Sequence, residues 1–334
     1  MRAALRPRNI FLAVTILVAL AGLAVHQHGT SPFGSITPNV PAAVPGLQGR
    51  LLYTRDGGLW TLTLADGNAV QIVAAPELGQ VTAARWSPDG TRMVYAVHEI
   101  INRRTPVSHV YVAAADGSDP RVIAESSDSS TFYQLPAWAA DGQHVYVIHT
   151  AQNIRRIERI DLQSAEAVPV IDALGQFDLS RDGRMLALAK SSNTGINLVI
   201  IDLASGQQRE IVSDRDFDLV GSPRFDPTSR RLLFTAAGGR VQRPEPDRGL
   251  AGVINAPVAE AHGLPQDIFI LPVEGGRPTR LASLQVDDPS VSWSPDSSHV
   301  AILSYEALQA VQASDGRAIP ILVPGGFGSV DWAP

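Results

Sequence analysis

The chain has 334 residues, a formal net charge of −6 and 45% hydrophobic residues. This length suits one large domain or two medium ones, and the small acidic charge with dispersed basic residues argues against a nucleic-acid-binding surface. There is no cysteine, which excludes a disulfide framework, a thiolate metal site, a cysteine nucleophile and a lipid anchor on cysteine.

Residues 1–28 have the pattern of a targeting element. Three arginines within the first eight residues precede the apolar run IFLAVTILVALAGLAV at 10–25. As a helix this run is about 24 Å long, shorter than a typical membrane core but longer than most signal-peptide cores. The basic end is expected in the cytoplasm. The segment is therefore predicted to be a cleaved signal peptide or an uncleaved signal-anchor helix, and either one places the rest of the chain in the periplasm or at the cell surface.

Residues 29–47, GTSPFGSITPNVPAAVPGL, contain four prolines, several Gly and Ser residues and no charge. This composition favours an extended, semi-rigid spacer over a packed element. The predicted organisation is a targeting helix at 1–28, a Pro-rich linker at 29–47 and a folded domain at 48–334.

The folded domain is built from repeats. Each repeat is predicted to start with a strand ending in a bulky residue, a type I turn with Ser, Pro and Gly, and an apolar strand. Two more strands follow, as in HVYVAAADGSDPRVIA at 109–124. The apolar strands lack strict alternation, which indicates sheets covered on both faces, as between the blades of a propeller. Copies of ARWSPDGTRMVYAV are found at 84–97, 136–149, 177–190, 223–236 and 291–304.

The two ends of the domain complete a sixth repeat. Residues 50–73 contain the second, third and fourth strands (b, c and d) but no first strand a, whereas FGSVDWAP at 327–334 contains a strand a alone. The predicted fold is all-β, a six-bladed β-propeller of four-stranded blades. Its C-terminal strand closes the first blade, which leaves no open sheet edge at the junction.

The WSPDG turn, the apolar strand after it and the segment VYVAAADGSDPRVIA at 110–124 resemble the repeats of the TolB-type propeller family. The resemblance covers residues 48–334 and implies a WD-like β-propeller. TolB proteins carry a further α/β domain before the propeller, and here the predicted linker takes that place. The resemblance is therefore to the propeller alone, and it transfers no binding residue. Similar repeats also occur in prolyl-oligopeptidase-like enzymes and in exported binding proteins.

Repeat position gives a structural role to several residues that would otherwise suggest a ligand site. His144 and His299 occupy the position that opens strand b, which arginine fills in the other repeats, so they are predicted to fill a polar slot. The tryptophans before the turns are predicted to pack in the core, and the turn aspartates to form turns. The arginines that open strand b are Arg50, Arg92, Arg184 and Arg231. The tryptophans are Trp86, Trp138, Trp293 and Trp332, and the turn aspartates are Asp89, Asp141, Asp182 and Asp296.

The sequence contains no local signature of catalysis. There is no GxSxG elbow, no HExxH, no Gly-rich phosphate loop and no dense His/Asp cluster. No catalytic residue and no cofactor is predicted. A propeller can still assemble a site from one residue per blade around its channel, so a metal-dependent lactonase-like or lyase-like enzyme is an alternative. Its first candidates are Asp216, Asp218, Asp287, His98 and His149.

Departures from the repeat point to one face of the ring. The b–c and d–a connections emerge on the same face, and the b–c connection of the fifth blade is expanded to about 238–266. The b–c loop of the second blade, 98–109, is basic, and several d–a connections are acidic. The predicted partner-binding residues on this face are Arg103, Arg104, Asp128, Asp214, Asp216, Asp218, Arg240, Arg243, Asp287 and Asp288.

This face leads to the main functional hypothesis, a non-catalytic scaffold in the cell envelope that binds a protein partner or an extracytoplasmic ligand. No nucleic acid is expected as partner. A second alternative, beside the channel enzyme, is an accessory subunit of a membrane protein complex, which requires the N-terminal helix to remain uncleaved in the cytoplasmic membrane.

Overall fold

The computed structural model describes residues 43–239 and 264–334, apart from Ser127, Asn153 and Leu174. The predicted targeting helix lies outside this part of the chain, as does most of the predicted linker. Among the residues described, no helix has the length and hydropathy needed to cross a bilayer.

The described residues form six four-stranded antiparallel sheets, which are the blades of one ring. From the channel outward, blade 1 contains β24 (Val330–Ala333), β1 (Arg50–Arg55), β2 (Gly58–Thr63) and β3 (Asn68–Val73). Blade 2 contains β4 (Gly79–Trp86), β5 (Arg92–Ile101), β6 (Thr105–Ala114) and β7 (Arg121–Glu125), and blade 3 contains β8 (Phe132–Trp138), β9 (His144–Thr150), β10 (Arg155–Asp161) and β11 (Ala167–Ile171). Blade 4 contains β12 (Phe177–Leu179), β13 (Met185–Ser191), β14 (Ile196–Asp202) and β15 (Gln208–Val212). Blade 5 contains β16 (Leu219–Phe225), β17 (Arg231–Ala237), β18 (Gln266–Pro272) and β19 (Thr279–Val286), and blade 6 contains β20 (Ser290–Trp293), β21 (His299–Leu303), β22 (Leu308–Gln312) and β23 (Ala318–Leu322).

The predicted closure of the ring is confirmed. The C-terminal strand β24 pairs antiparallel with β1, with Arg50 opposite Ala333 and Tyr53 opposite Val330. The first and last strands of the fold therefore share one blade, and the innermost position of blade 1 is filled from the far end of the chain.

The turn chemistry explains why the first two strands of blades 2 to 6 meet so tightly. Gly90 donates its N–H to the carbonyl of Ser87 over 2.8 Å and has a φ of 67°, which glycine adopts without strain. The hydroxyl of Ser87 donates to Asp89. The equivalent turn bond recurs from Gly142 to Ala139, Gly183 to Ser180, Ser229 to Asp226 and Ser297 to Ser294. The turn prediction from WSPDG is therefore confirmed in all five copies.

The core lies between the blades. Val94 and Ala96 of blade 2, for example, pack with Trp138 and Val147 of blade 3. Each blade is covered by a neighbouring blade on both faces. The strands β9 and β13 therefore contain runs of five and four consecutive buried residues, with no alternation of buried and exposed positions. Val44 is also buried, 3% exposed, against blade 1, so the packed part begins before the boundary predicted at 48.

Candidate functional site

The innermost strands are tied to one another by polar side chains around the channel. In each case the acceptor is the side chain that precedes the bulky residue at the end of strand a. It accepts a hydrogen bond from the backbone N–H of the corresponding bulky residue in the next blade. Asp331 accepts from Trp86 over 2.8 Å, and Asp178 accepts from Phe225 over 2.9 Å. Ser292 accepts from Trp332 in the same way, over 3.1 Å. These bonds join blade 6 to blade 1, blade 1 to blade 2, and blade 4 to blade 5.

Several side chains around the channel are charged. Arg85, Asp178, Arg224 and Asp331 line a cavity of about 170 Å³ at the channel end where the a–b turns lie. Arg85 lies 3.4 Å from Asp331, and Arg224 donates to the carbonyl of Val291. Burial raises the pKa of Asp178, an effect that the two arginines oppose. These two cations and two anions balance each other, which is typical of a structural network.

The candidates for a metal-dependent enzyme are not assembled into a metal site. Within 43–239 and 264–334 no three His, Asp or Glu side chains are grouped so that they could hold a metal ion. His149 lies 2.9 Å from Glu158, which also accepts from Arg156, and it stacks on Tyr133 at 4.5 Å. These side chains fill the interface between blades 2 and 3, so their contacts give His149 a packing role.

The two predicted arginines lie at the tip of a long hairpin. β5 and β6 have ten residues each and pair from Arg92–Ala114 to Ile101–Thr105. The segment 98–109 is thus mostly paired strand, which corrects its prediction as a loop. The turn is closed by the N–H of Arg104 donating to Ile101, and Asn102 and Arg103 have φ of 51° and 56°. This is the type I′ geometry that matches strand twist, and it leaves Arg103 and Arg104 exposed.

Three predicted aspartates share the d–a connection between blades 4 and 5. Asp214 accepts from the hydroxyls of Thr194 and Ser192 in the b–c connection of blade 4, and these bonds lower its pKa. Asp216 accepts the N–H of Ser213 and is exposed, as is Asp218. Asp214 therefore holds two connections together, while the other two carboxylates face solvent.

The remaining predicted residues that the structure describes are spread around the same face. Asp287 and Asp288 lie between blades 5 and 6. Burial, and to a smaller extent the charge of Asp287, raise the pKa of Asp288. Asp128 is exposed between blades 2 and 3, and the hydroxyl of Ser130 lowers its pKa. Arg240 and Arg243 lie outside the described residues. The predicted residues within 43–239 and 264–334 thus occupy one face in separate groups.

The sequence did not identify an apolar patch on the same face. Tyr305, Val323 and Phe327 are 56%, 59% and 57% exposed, more than the other large hydrophobic residues described. The Tyr305 and Phe327 rings lie 5.5 Å apart between their centroids. One feature of the sequence could have indicated this patch, namely an interruption of the repeat. The segment VPGGFGS at 323–329, which joins blade 6 to β24, places three glycines around a phenylalanine.

Comparison with known proteins gives the fold. No protein-family model and no curated protein sequence matches the chain. Among solved structures, the chain is similar to TolB from Acinetobacter baumannii, with a TM-score of 0.66 at 13% identity over 95% of this chain and 71% of that one. It is similar to a chain of a nidogen/laminin complex, with a TM-score of 0.62 at 13% identity over 85% and 98%. It is also similar to a putative TolB from Agrobacterium tumefaciens, with a TM-score of 0.52 at 14% identity over 85% of this chain and 90% of that one. The resemblance to TolB-type propellers is thereby confirmed for the fold.

Proposed function

We propose that this protein is an exported propeller, tethered by its N-terminal helix, that binds a protein partner in the cell envelope and catalyses no reaction. The partner docks on the face of the b–c and d–a connections. The observation that best supports this is the hairpin of blade 2, which carries Arg103 and Arg104 beyond the neighbouring connections.

The conformation of Arg103 is costly for folding. A non-glycine residue with positive φ loses about 1 kcal/mol or more, and the second central position of this turn type favours glycine. Arginine is nevertheless present there, with its side chain exposed and its φ at 56°. A guanidinium held at the tip of a rigid hairpin is suited to recognise a carboxylate on a partner.

The charges on this face are separated across the channel. The ring order of the blades places blade 2 opposite blade 5, so the two hairpin arginines lie opposite the carboxylates that flank blade 5. The exposed carboxylates there belong to Asp216 and Asp218. A face with a cationic side and an anionic side favours one orientation of a protein partner.

The attachment of the linker supports the same face. Val44 donates its N–H to the carbonyl of Leu64, in the c–d turn of blade 1, and the indole of Trp332 donates to the carbonyl of Gln48. The chain therefore enters the propeller at the end of the a–b and c–d turns. The proposed binding face is at the end opposite the described part of the linker.

The test is chemical cross-linking with mass spectrometry on the full chain in native membranes. Arg103→Gly removes the guanidinium and relieves the backbone, so we expect partner cross-links to fall several-fold while the thermal midpoint stays equal or rises. Arg277→Gly is the matched control, because Arg277 is exposed beside the c–d turn of blade 5, on the other face. Equal recovery of partner with Arg103→Gly and with the control would overturn the proposal.

A further inference from the structure

The most exposed large apolar residues of the described structure lie in two adjoining connections of blade 6 and make up one patch. Tyr305 lies in the b–c connection of blade 6, and Val323 and Phe327 lie in the connection from blade 6 to β24. Each residue keeps more than half of its surface in solvent. Aromatic side chains presented in this way at a protein surface are the residue types that dominate binding energy at interfaces.

The backbone beneath the patch is held rigidly. Gly325 donates its N–H to Tyr305 over 3.1 Å, and Gly326 donates to Ser304 over 2.9 Å. A Cβ at Gly325 would collide with the carbonyl of Ser304.

The other side of the segment is fixed to blade 1. The hydroxyl of Thr54 donates to the carbonyl of Phe327, and the N–H of Ser329 donates back to Thr54. A Cβ at Gly326 would collide with the Thr54 carbonyl. Phe327 is therefore presented on a fixed backbone, and a preorganised anchor loses little conformational entropy when a partner binds.

The exposed charges next to the patch are negative. Glu306 follows Tyr305 and is exposed, and the side chain of Asp56, 80% exposed, lies in the b–c turn of blade 1, beside the residues that Gly326 contacts. Asp288 lines a small cavity of about 50 Å³ at this channel mouth together with Gly328, the neighbour of Phe327, and Arg85 and Arg224 lie deeper in the same cavity. The side chain of Arg55 is only 11% exposed and lies 3.4 Å from Asp56.

We propose that this patch, Tyr305, Val323 and Phe327, receives an apolar side chain from an extended partner segment that carries lysine or arginine on either side of it. The inference rests on the proposed function and specifies its partner. The aromatic pair binds the apolar side chain, and the surrounding carboxylates attract the flanking cations. An anionic lipid surface is repelled by the same carboxylates.

The test uses a displayed library of random peptides, selected against the full chain in detergent. We expect the enriched peptides to share Phe, Trp or Leu between Lys or Arg residues. Binding of a synthetic peptide with that consensus should weaken about tenfold or more with the double variant Tyr305→Ser, Phe327→Ser. Peptides in which Glu replaces the cations should also lose binding, and added salt should weaken the cationic ones.

The control double variant is Val122→Ser, Val168→Ser, which removes exposed apolar side chains from the outer strands β7 and β11. It should bind the peptide as the wild type does. Equal binding by the Tyr305, Phe327 variant, or enrichment of peptides with no apolar residue, would overturn the inference. So would sedimentation showing that these two substitutions abolish a dimer, or binding of the patch to anionic vesicles. A loss of partner cross-links with Arg103→Gly, without any such peptide, would leave the proposed function standing and reject this inference alone.

Discussion

The guanidinium carbon of Arg92 lies 4.8 Å from the centroid of the Trp138 indole, which belongs to the next blade. The same guanidinium donates to the carbonyl of Gly142, in the a–b turn of that blade. The arginine that opens strand b therefore connects two blades by a cation–π contact and a hydrogen bond. The arrangement recurs with Arg50, Trp86 and Gly90, and with Arg231, Trp293 and Ser297.

Replacing Arg92 by lysine is expected to destabilise the propeller. Lysine keeps the charge but cannot both cover the indole and donate in the same planar geometry. We expect a loss of about 1–2 kcal/mol, the sum of a partly buried cation–π contact and a hydrogen bond from a charged group. Urea titration followed by tryptophan fluorescence measures it.

Arg184→Lys is the matched control for this substitution. Arg184 has the same repeat position but is exposed, and the next blade has Phe225 where the others have tryptophan. We expect a change within about 0.5 kcal/mol. Equal losses for the two variants would show that the contact with Trp138 contributes nothing specific.

The C-terminal strand joins three blades. β24 pairs with β1 in its own blade, its Asp331 accepts from Trp86 of blade 2, and its Trp332 donates to Ser292 of blade 6. We expect deletion of residues 327–334 to lower the thermal midpoint sharply, because it exposes the edge of β1 and breaks both links. Differential scanning calorimetry measures the effect. A midpoint equal to that of the full chain would reject closure by this strand.

A single substitution tests the same closure without removing the strand. Asp331→Ala leaves the Trp86 N–H and the Arg85 guanidinium without their acceptor, and we expect a loss of about 1–3 kcal/mol. Glu274→Ala removes an exposed carboxylate elsewhere in the fold and should be close to neutral.

The blade number and the closure could be predicted because they depend on local patterns. The Ser-Pro-Asp-Gly turn specifies its own hydrogen bond, and a strand a that is absent at residue 50 and present at 330 requires only counting. The same repetition correctly marked Trp86 and Trp293 as core residues, and both are less than 7% exposed.

The features that the sequence did not reveal depend on contacts between blades or on connections outside the repeat. Nothing in the spacing of Arg92 and Trp138 indicates that they meet, since the strands between them must first be placed. The exposure of Phe327 also follows from the neighbouring glycines, which fit the segment between Thr54 and Ser304. The predicted binding residues were identified by face alone, because charge on a connection says little about which side chains meet.

His98 provides a test of stability against pH. It lies between blades 2 and 3, 6.2 Å from the ring of Phe132, and its Nε2 has no hydrogen-bond partner in the described part of the chain. Burial, and to a smaller extent the charge of His109, lower its pKa, while a backbone hydrogen bond to Tyr133 opposes the shift.

The folded state therefore binds the His98 proton less readily than the unfolded state, whose histidine titrates near pH 6.5. As pH falls through about 7 toward 5, the unfolded chain takes up this proton first, so stability present at higher pH is lost. We expect the thermal midpoint of His98→Leu to fall less steeply over this range than that of the wild type. Midpoints at pH 8, 7, 6 and 5 measure the two slopes, and parallel curves would show that His98 is solvated in the folded protein.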